Sequence, residues 1–183
     1  MSEADIVRNC APTLAGLKTG SIFSCPMESR EGLLGALRQM NEKLGPKGLR
    51  MLPLRFSGKR ALIYLYRPGK LRRDLCHSTA RALLEERGYD PANSTGCVGC
   101  LMKKLRQEPE FPHEIGLFLG YPPEDVLGFI RQGPSGCKCT GCWRVYGDEQ
   151  AAKQTFARYK ACTRVYCRRH ARGADIEGLT VAE

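Results

Sequence analysis

Two neighbouring apolar segments, residues 49–56 and 60–67, restrict the folds open to this chain more than any other feature. The connection between them, residues 57–59, has hairpin length and contains Gly58. Apolar side chains occupy both faces of the second segment: Ala61, Ile63 and Leu65 on one, Leu62, Tyr64 and Tyr66 on the other. Because a strand that is apolar on both faces must be covered on both, we predict a hairpin whose second strand lies largely buried at the centre of a sheet.

Segments with helical spacing flank this hairpin. Ser2 is expected to begin the first helix and Pro12 to divide it, whereas Ser29 caps a second helix. Asp148 caps a long helix that continues to about residue 172 and carries one apolar stripe. We therefore predict an α+β fold in which a small, mostly antiparallel sheet is covered by several helices, including the long C-terminal one. The expected strands lie near residues 21, 49, 60 and 143.

Chain length and composition predict one domain and no membrane segment. A chain of 183 residues can bury one sizeable core, so residues 1–173 are expected to form a single domain and residues 174–183 a flexible tail. The apolar runs are far shorter than the roughly 20 residues that cross a bilayer. The first residues carry acids where a secretory leader needs positive charge and an apolar run. We therefore expect a cytoplasmic protein.

Ten cysteines in a chain without a leader favour free thiols or metal ligands over a disulfide framework. Cys97 and Cys100 form one C-x-x-C pair, Cys139 and Cys142 form another, and Cys137 lies beside the second pair. Four thiolates hold a tetrahedral zinc ion or an iron–sulfur cluster. The leading hypothesis is an accessory protein that binds zinc or an iron–sulfur cluster, or performs thiol redox chemistry, through these cysteines.

The distance between the two cysteine pairs keeps other interpretations open. There are 38 residues between Cys100 and Cys139, whereas zinc ribbons have shorter spacings. The alternative is a set of ordinary reduced thiols in a structural or interaction protein that has no cofactor.

His113 and Glu114 form a second candidate site. They are expected in the first turn of a short helix that Pro112 opens, where unpaired backbone N–H groups and the helix dipole favour an anion. In this hypothesis His113 is a ligand or proton shuttle and Glu114 its partner, since partial burial brings both pKa values towards neutrality. Alternatively, Glu114 satisfies backbone donors and His113 packs against Pro112.

Cys10 is a candidate reactive thiol. It lies just before Pro12 at an expected helix N-terminus, where the dipole and nearby N–H groups lower a thiol pKa. The alternative is a buried structural cysteine. The sequence has no Gly-rich phosphate loop, no H-E-x-x-H, no G-x-S-x-G and no dinucleotide fingerprint. It therefore does not decide whether the protein is an enzyme.

The formal net charge of +10 is concentrated in two segments. Residues 43–73 contain ten Lys or Arg and residues 153–172 contain seven, with no acid in either segment. With Phe56, Tyr64 and Tyr66 as stacking rings, the basic hairpin supports a second hypothesis, a nucleic-acid-binding module. An acidic protein is the other partner expected from the charge. The candidate contacts are Arg50, Arg55, Lys59, Arg60, Arg67, Arg72 and Arg73. Alternatively, the tyrosines belong to the core and the basic face is solvated.

Five segments resemble a known family. They are residues 10–18 (CAPTLAGLK), 46–50 (PKGLR), 61–68 (ALIYLYRP), 110–126 (EFPHEIGLFLGYPPEDV) and 141–148 (GCWRVYGD). Through these segments the chain resembles an uncharacterised bacterial domain family of Firmicutes type. The resemblance implies a family with no assigned reaction, cofactor or catalytic residue, so it indicates a relationship and no activity.

Overall fold

The computed structural model describes residues 1–107 and 110–183, which group into two units. The first unit comprises Met1–Gly69 and Ala161–Glu183, and the second comprises Lys70–Lys160. The prediction of one domain over residues 1–173 stays a prediction. Among the helices of the described ranges, none combines the length and the apolar content that crossing a membrane requires.

The described residues form helices and a few short antiparallel strands, which confirms the predicted α+β class. In chain order they are α1 (Glu3–Leu14), β1 (Gly20–Pro26), α2 (Arg30–Leu44), β2 (Arg50–Ser57), β3 (Arg60–Tyr66), α3 (Pro68–Leu75), α4 (Ser78–Glu86), α5 (Ser94–Gln107), α6 (Ile115–Phe118), α7 (Pro123–Gln132), β4 (Cys139–Thr140), β5 (Arg144–Val145), α8 (Glu149–Ala171) and α9 (Ile176–Leu179). Short 3-10 turns follow α2 and α7.

The sheet of the first unit is antiparallel and has the strand order β1-β3-β2. The predicted hairpin is therefore confirmed, with β3 at the centre of the sheet. Ile63 on one face of β3 and Tyr64 on the other are both fully buried. The register shifts between Pro53 and Arg55 on the edge strand β2, where a proline, which has no backbone N–H, is tolerated. Burial of both faces of β3 therefore explains why its side chains are apolar on both faces.

The segment near residue 143 does not join this sheet, so that part of the strand prediction is wrong. Arg144–Val145 pairs with Cys139–Thr140 in a separate two-stranded ribbon. The chain turns back within three residues, and the N–H of Gly141 donates to the carbonyl of Trp143 over 2.9 Å. Trp143 and Val145 pack against Phe156 and its neighbours in α8. This packing accounts for the apolar pattern that suggested a strand of the sheet.

Three predicted helix starts are confirmed by their caps. Ser2 and Asp5 form a reciprocal capping box at α1. Ser29 accepts from the N–H of Gly32 at α2, and Asp148 accepts from the N–H of Ala151 over 2.9 Å at α8. Pro12, however, does not divide α1, which continues to Leu14. The predicted division of the helix at Pro12 is wrong, because a proline in the last turn leaves most of the helix hydrogen bonds intact.

Residues 174–183 differ from the expected flexible tail. Ile176 and Leu179 of α9 are buried in the core of the first unit together with Ile6 of α1. The backbone N–H of Val181 donates to the carbonyl of Leu14 over 3.0 Å. This segment therefore completes the core beside α1, with Ile176 and Leu179 three residues apart on α9.

Arg67 is the charged residue that this packing encloses. Its side chain follows β3 directly and is 1% exposed. The guanidinium donates to the carbonyls of Thr13 over 2.8 Å, Leu14 over 2.8 Å and Val181 over 2.7 Å. Arg67 is therefore a structural tie, and its expected role as an exposed nucleic-acid contact is wrong.

We predict that Arg67→Ala lowers the free energy of unfolding by about 3 kcal/mol or more, because three carbonyls, two of them buried, lose a charged donor. Urea unfolding followed by circular dichroism measures the change. Arg67→Lys should be intermediate, since one ammonium group cannot reach all three carbonyls. Arg60→Ala is the control, because Arg60 is exposed and bonded to Ser24, and it should cost under about 1 kcal/mol. Equal losses in Arg67→Ala and Arg60→Ala would contradict the role.

Candidate functional site

The second unit contains an apolar pocket of about 230 Å³. Two segments that are distant in the sequence form its walls, residues 111–129 and residues 143–144. Four of the eleven lining residues are Phe, Tyr or Trp, four more are apolar and three are polar: Phe111, Pro112, His113, Ile115, Gly116, Tyr121, Asp125, Val126, Phe129, Trp143 and Arg144. The segments 110–126 and 141–148, which carry most of the resemblance, thus meet at one place.

Asp125 holds the two walls together. It is 3% exposed, and its Oδ2 accepts from the indole N–H of Trp143 over 2.6 Å. Its Oδ1 accepts from the backbone N–H groups of Tyr146 and Gly147, each over 2.7 Å. Because a buried carboxylate needs several donors, these bonds fix both the indole ring and the strand end after β5.

The aromatic wall is ordered around Trp143. Its ring stacks on Tyr121 with centroids 4.9 Å apart and meets Phe156 edge-on at 4.5 Å. Burial raises the pKa of Tyr121 to about 12, so its phenol stays neutral at physiological pH. The wall therefore presents uncharged rings to the pocket.

Phe129 lies between two polar groups at the rim. The His113 ring meets it edge-on at 4.8 Å, and the Arg144 guanidinium lies 5.6 Å from its ring centroid. His113 is exposed and Arg144 is partly exposed. Within the described ranges no carboxylate forms an ion pair with Arg144. The rim therefore offers a guanidinium with free donors beside an apolar cavity.

Glu114 contacts side chains that do not line the pocket. It is 1% exposed and accepts from the Tyr89 hydroxyl over 3.0 Å, from Lys104 over 3.2 Å and from Arg87 over 3.2 Å. Burial acts to raise its pKa, but the donors around it, its own N–H, Tyr89 and Lys104, outweigh burial and hold the pKa below the ordinary 4.5. Glu114 is therefore ionised at neutral pH.

The expected site formed by His113 and Glu114 stays a prediction. The two side chains have separate partners, Phe129 for His113 and the Arg87, Tyr89 and Lys104 group for Glu114. Helix α6 begins after them and has only four residues. A helix this short has a weak dipole, so the expected anion site at its start is not supported.

The structure does not bring the two cysteine pairs together. Cys97 is buried and donates to the carbonyl of Asp90 over 3.0 Å, and burial raises its pKa to about 11. Cys137 contacts Thr140 in its own loop, and Cys142 is exposed. Among residues 1–107 and 110–183 no group of three or more His, Cys, Asp or Glu side chains is placed to hold a metal ion. Metal binding through these cysteines stays a prediction.

Cys10 lies in the second half of α1, so the expected position at a helix N-terminus is wrong. Helix α1 begins at Glu3 with Ser2 as its cap. Cys10 is fully buried, and burial raises its pKa to about 12. Because the thiolate is the nucleophile, this shift is opposite to the one that activates a cysteine.

The residues of the basic hairpin have unequal environments. Tyr64 and Tyr66 are buried and stack on each other at 4.6 Å, so they are not available to stack on bases. Of the basic residues expected at this surface, Arg50, Lys59 and Arg60 are exposed. Arg55 is partly exposed, whereas Arg72 and Arg73 are exposed on α3. A nucleic-acid partner for the hairpin stays a prediction.

Three of the residues that shape these sites could not be selected from the sequence. Asp125 stands in the first turn of α7, where an exposed acid is common, so its burial has no local signal. The strand predicted near residue 143 places Trp143 in the sheet and not at a pocket. Arg144 belongs to no motif, and its position next to Trp143 in segment 141–148 is the one feature of the sequence that marks it.

The chain belongs to DUF3793, a family described as a protein of unknown function, which it matches over residues 6–180. The resemblance inferred from the five segments is thereby confirmed. No curated protein and no solved structure matches the chain.

We predict that Glu114→Gln flattens the acid limb of the stability profile. A carboxylate whose folded pKa is lowered adds stability that is complete above about pH 4.5 and is lost as the pH falls through the folded pKa. The glutamine variant lacks this loss, so its free energy of unfolding should fall less steeply below pH 4.5 than that of the wild type. Urea unfolding at several pH values measures the slopes.

The matched control is Glu85→Gln, which removes an exposed carboxylate paired with Arg81 at 2.8 Å. Since exposed pairs contribute little, this variant should keep the slope of the wild type. An unchanged slope in Glu114→Gln would contradict the assignment.

Proposed function

Because membership of DUF3793 leaves the activity open, we propose that the pocket of the second unit binds a small aromatic acid. The observation that carries this proposal is an aromatic cavity with an unpaired guanidinium at its rim. In this proposal the protein is a ligand-binding module, and the residues that contact the ligand are Tyr121, Phe129, Trp143 and Arg144.

The size of the cavity limits the ligand to a small molecule. An engineered apolar cavity of about 150 Å³ holds benzene. A cavity of about 230 Å³ therefore accommodates one substituted ring. Larger ligands would extend past the rim into solvent.

The lining determines the chemistry of the ligand. Tyr121, Phe129 and Trp143 favour offset or edge-on contacts with another ring. Arg144 has its donors at the rim, and a guanidinium fork matches a carboxylate bidentately. The His113 ring, which also contacts Phe129, supplies a second hydrogen-bonding group. Together they favour a ring with an acidic substituent over a purely apolar molecule.

The walls are held in place before any ligand binds. A Cβ atom at Gly116 would lie 2.8 Å from Val126 and 3.1 Å from Tyr121, so α6 and α7 approach each other as closely as a glycine allows. At Gly128 a Cβ would lie within 3 Å of Tyr146. Preorganised walls reduce the ordering cost of binding.

Trp143 is the single tryptophan of the chain, so its fluorescence reports directly on the pocket. We predict a saturable fluorescence change on titration with benzoate or phenylacetate. The neutral amides benzamide and phenylacetamide should bind at least about tenfold more weakly, because a hydrogen bond to a charged group contributes about 1.5–3 kcal/mol. Arg144→Gln should remove the preference for the acids while weak binding of the amides remains.

Arg131→Gln is the control, since Arg131 is exposed on α7 and does not line the pocket. This variant should keep the preference for the acids. Absence of a saturable change with all four probes up to about 10 mM would refute the proposal. Equal loss of acid and amide binding in Arg144→Gln would refute the role of its guanidinium.

Metal binding or thiol chemistry through the cysteines is a separate proposal, supported by the spacing of the two C-x-x-C pairs. Its prediction is that protein purified anaerobically contains nearly one zinc ion or iron–sulfur cluster per chain, measured by elemental analysis and absorption spectroscopy. Because the described residues contain no preformed group of this kind, binding requires the two pairs to approach each other, so Cys97→Ser and Cys142→Ser should each lose the metal, whereas Cys76→Ser, outside both pairs, should retain it. Folded protein free of metal under these conditions would contradict the proposal.

A further inference from the structure

Four arginines form an exposed ridge near the end of the first unit. Arg164, Arg168 and Arg169 lie on α8, and Arg172 directly follows its last residue, four positions after Arg168. All four are exposed. Residues four apart on a helix lie above one another at intervals of about 6 Å. We call Arg164, Arg168, Arg169 and Arg172 the arginine ridge.

The core of the first unit fixes the direction of this ridge. Tyr166 of α8 is buried in that core, and Cys162 and Cys167 pack against it from the same helix. By helical spacing Arg164 and Arg168 lie on the side of α8 away from Tyr166, where Val165 is also 52% exposed. Arg169 lies nearer the packed side, and Arg172 directly follows the helix, but both side chains are exposed as well.

The charge of the ridge is not compensated nearby. No Asp or Glu occurs between Glu149 and Asp175. Within the described part of the chain none of the four arginines forms an ion pair. Arg168 and Arg169 stand in the last turn of α8, where the helix dipole favours cations, whereas like charges at four-residue spacing destabilise a helix slightly. A polyanionic partner would neutralise the charge of all four arginines.

We propose that the arginine ridge binds the phosphate backbone of duplex nucleic acid. Duplex DNA carries one negative charge per about 1.7 Å of its axis, and a guanidinium fork matches a phosphate bidentately. Single-strand binding relies on exposed rings that stack on bases, and Tyr166, the aromatic residue of α8 next to the ridge, is buried. Phosphate contacts carry no sequence information, so binding is independent of base sequence. The proposal does not depend on the pocket.

The test is fluorescence anisotropy of the full chain with a labelled, mixed-sequence duplex DNA, and separately a duplex RNA, over a range of salt concentrations. The expected result is binding at low salt with a slope of log affinity against log salt of about −0.9 per phosphate contacted. The triple variant Arg164→Gln/Arg168→Gln/Arg172→Gln should reduce that slope by nearly three contacts and weaken binding at least about tenfold.

Two further variants separate the ridge from charge in general. Arg8→Gln/Arg38→Gln/Lys103→Gln removes the same charge from exposed positions on other helices and should leave the slope unchanged. Replacing the three ridge arginines by lysine keeps the charge and should preserve most of the slope. Circular dichroism confirms that each variant is folded.

The outcomes decide the proposal. Absence of binding to either duplex at low salt overturns it, and so does an equal loss of affinity in the control triple variant. Binding to vesicles that contain phosphatidylserine, without binding to either duplex, also overturns it and identifies an anionic membrane surface as the ligand of the ridge.

Discussion

The guanidinium of Arg67 links three segments of the first unit that are far apart in the sequence. A buried charge is costly unless it is hydrogen-bonded, and here the end of α1 supplies two of the acceptors, the carbonyls of Thr13 and Leu14. Such carbonyls have no partner within their own helix, and the negative end of the dipole favours a cation. The last turn of α1 has no basic residue. An arginine from the end of β3 therefore supplies the cation that this helix lacks, and its third bond, to Val181, holds α9 where its apolar residues close the core.

Asp125 has the corresponding role in the second unit, with the opposite charge. It gathers one indole and two backbone N–H groups and so brings α7 and the ribbon of β4 and β5 together. In both units an ionic side chain is used to position backbone, and the surfaces proposed for binding carry other charged groups. Neither Arg144 nor the arginine ridge forms an ion pair with the described residues.

Local patterns account for what the sequence predicted correctly. The hairpin, the buried strand β3 and the caps Ser2, Ser29 and Asp148 depend on neighbouring residues, and those neighbours are visible in the sequence. The errors involve contacts across the fold. An arginine at the end of a strand looks solvent-exposed until its acceptors on α1 are known, and Cys10 looks activated until the helix is known to begin at Glu3. The pocket combines segments 111–129 and 143–144, and no spacing rule relates them.

The position of α9 beside α1 has a consequence for biosynthesis. Ile6, at the start of the chain, shares its core with Tyr166, Ile176 and Leu179, which leave the ribosome much later. During synthesis the first strands and helices must therefore wait, with apolar surface exposed, while the whole of the second unit is translated. Such long-range closure is slow, and the waiting chain is prone to aggregation. The core of the first unit is therefore complete only when α9 emerges and Arg67 acquires its last acceptor.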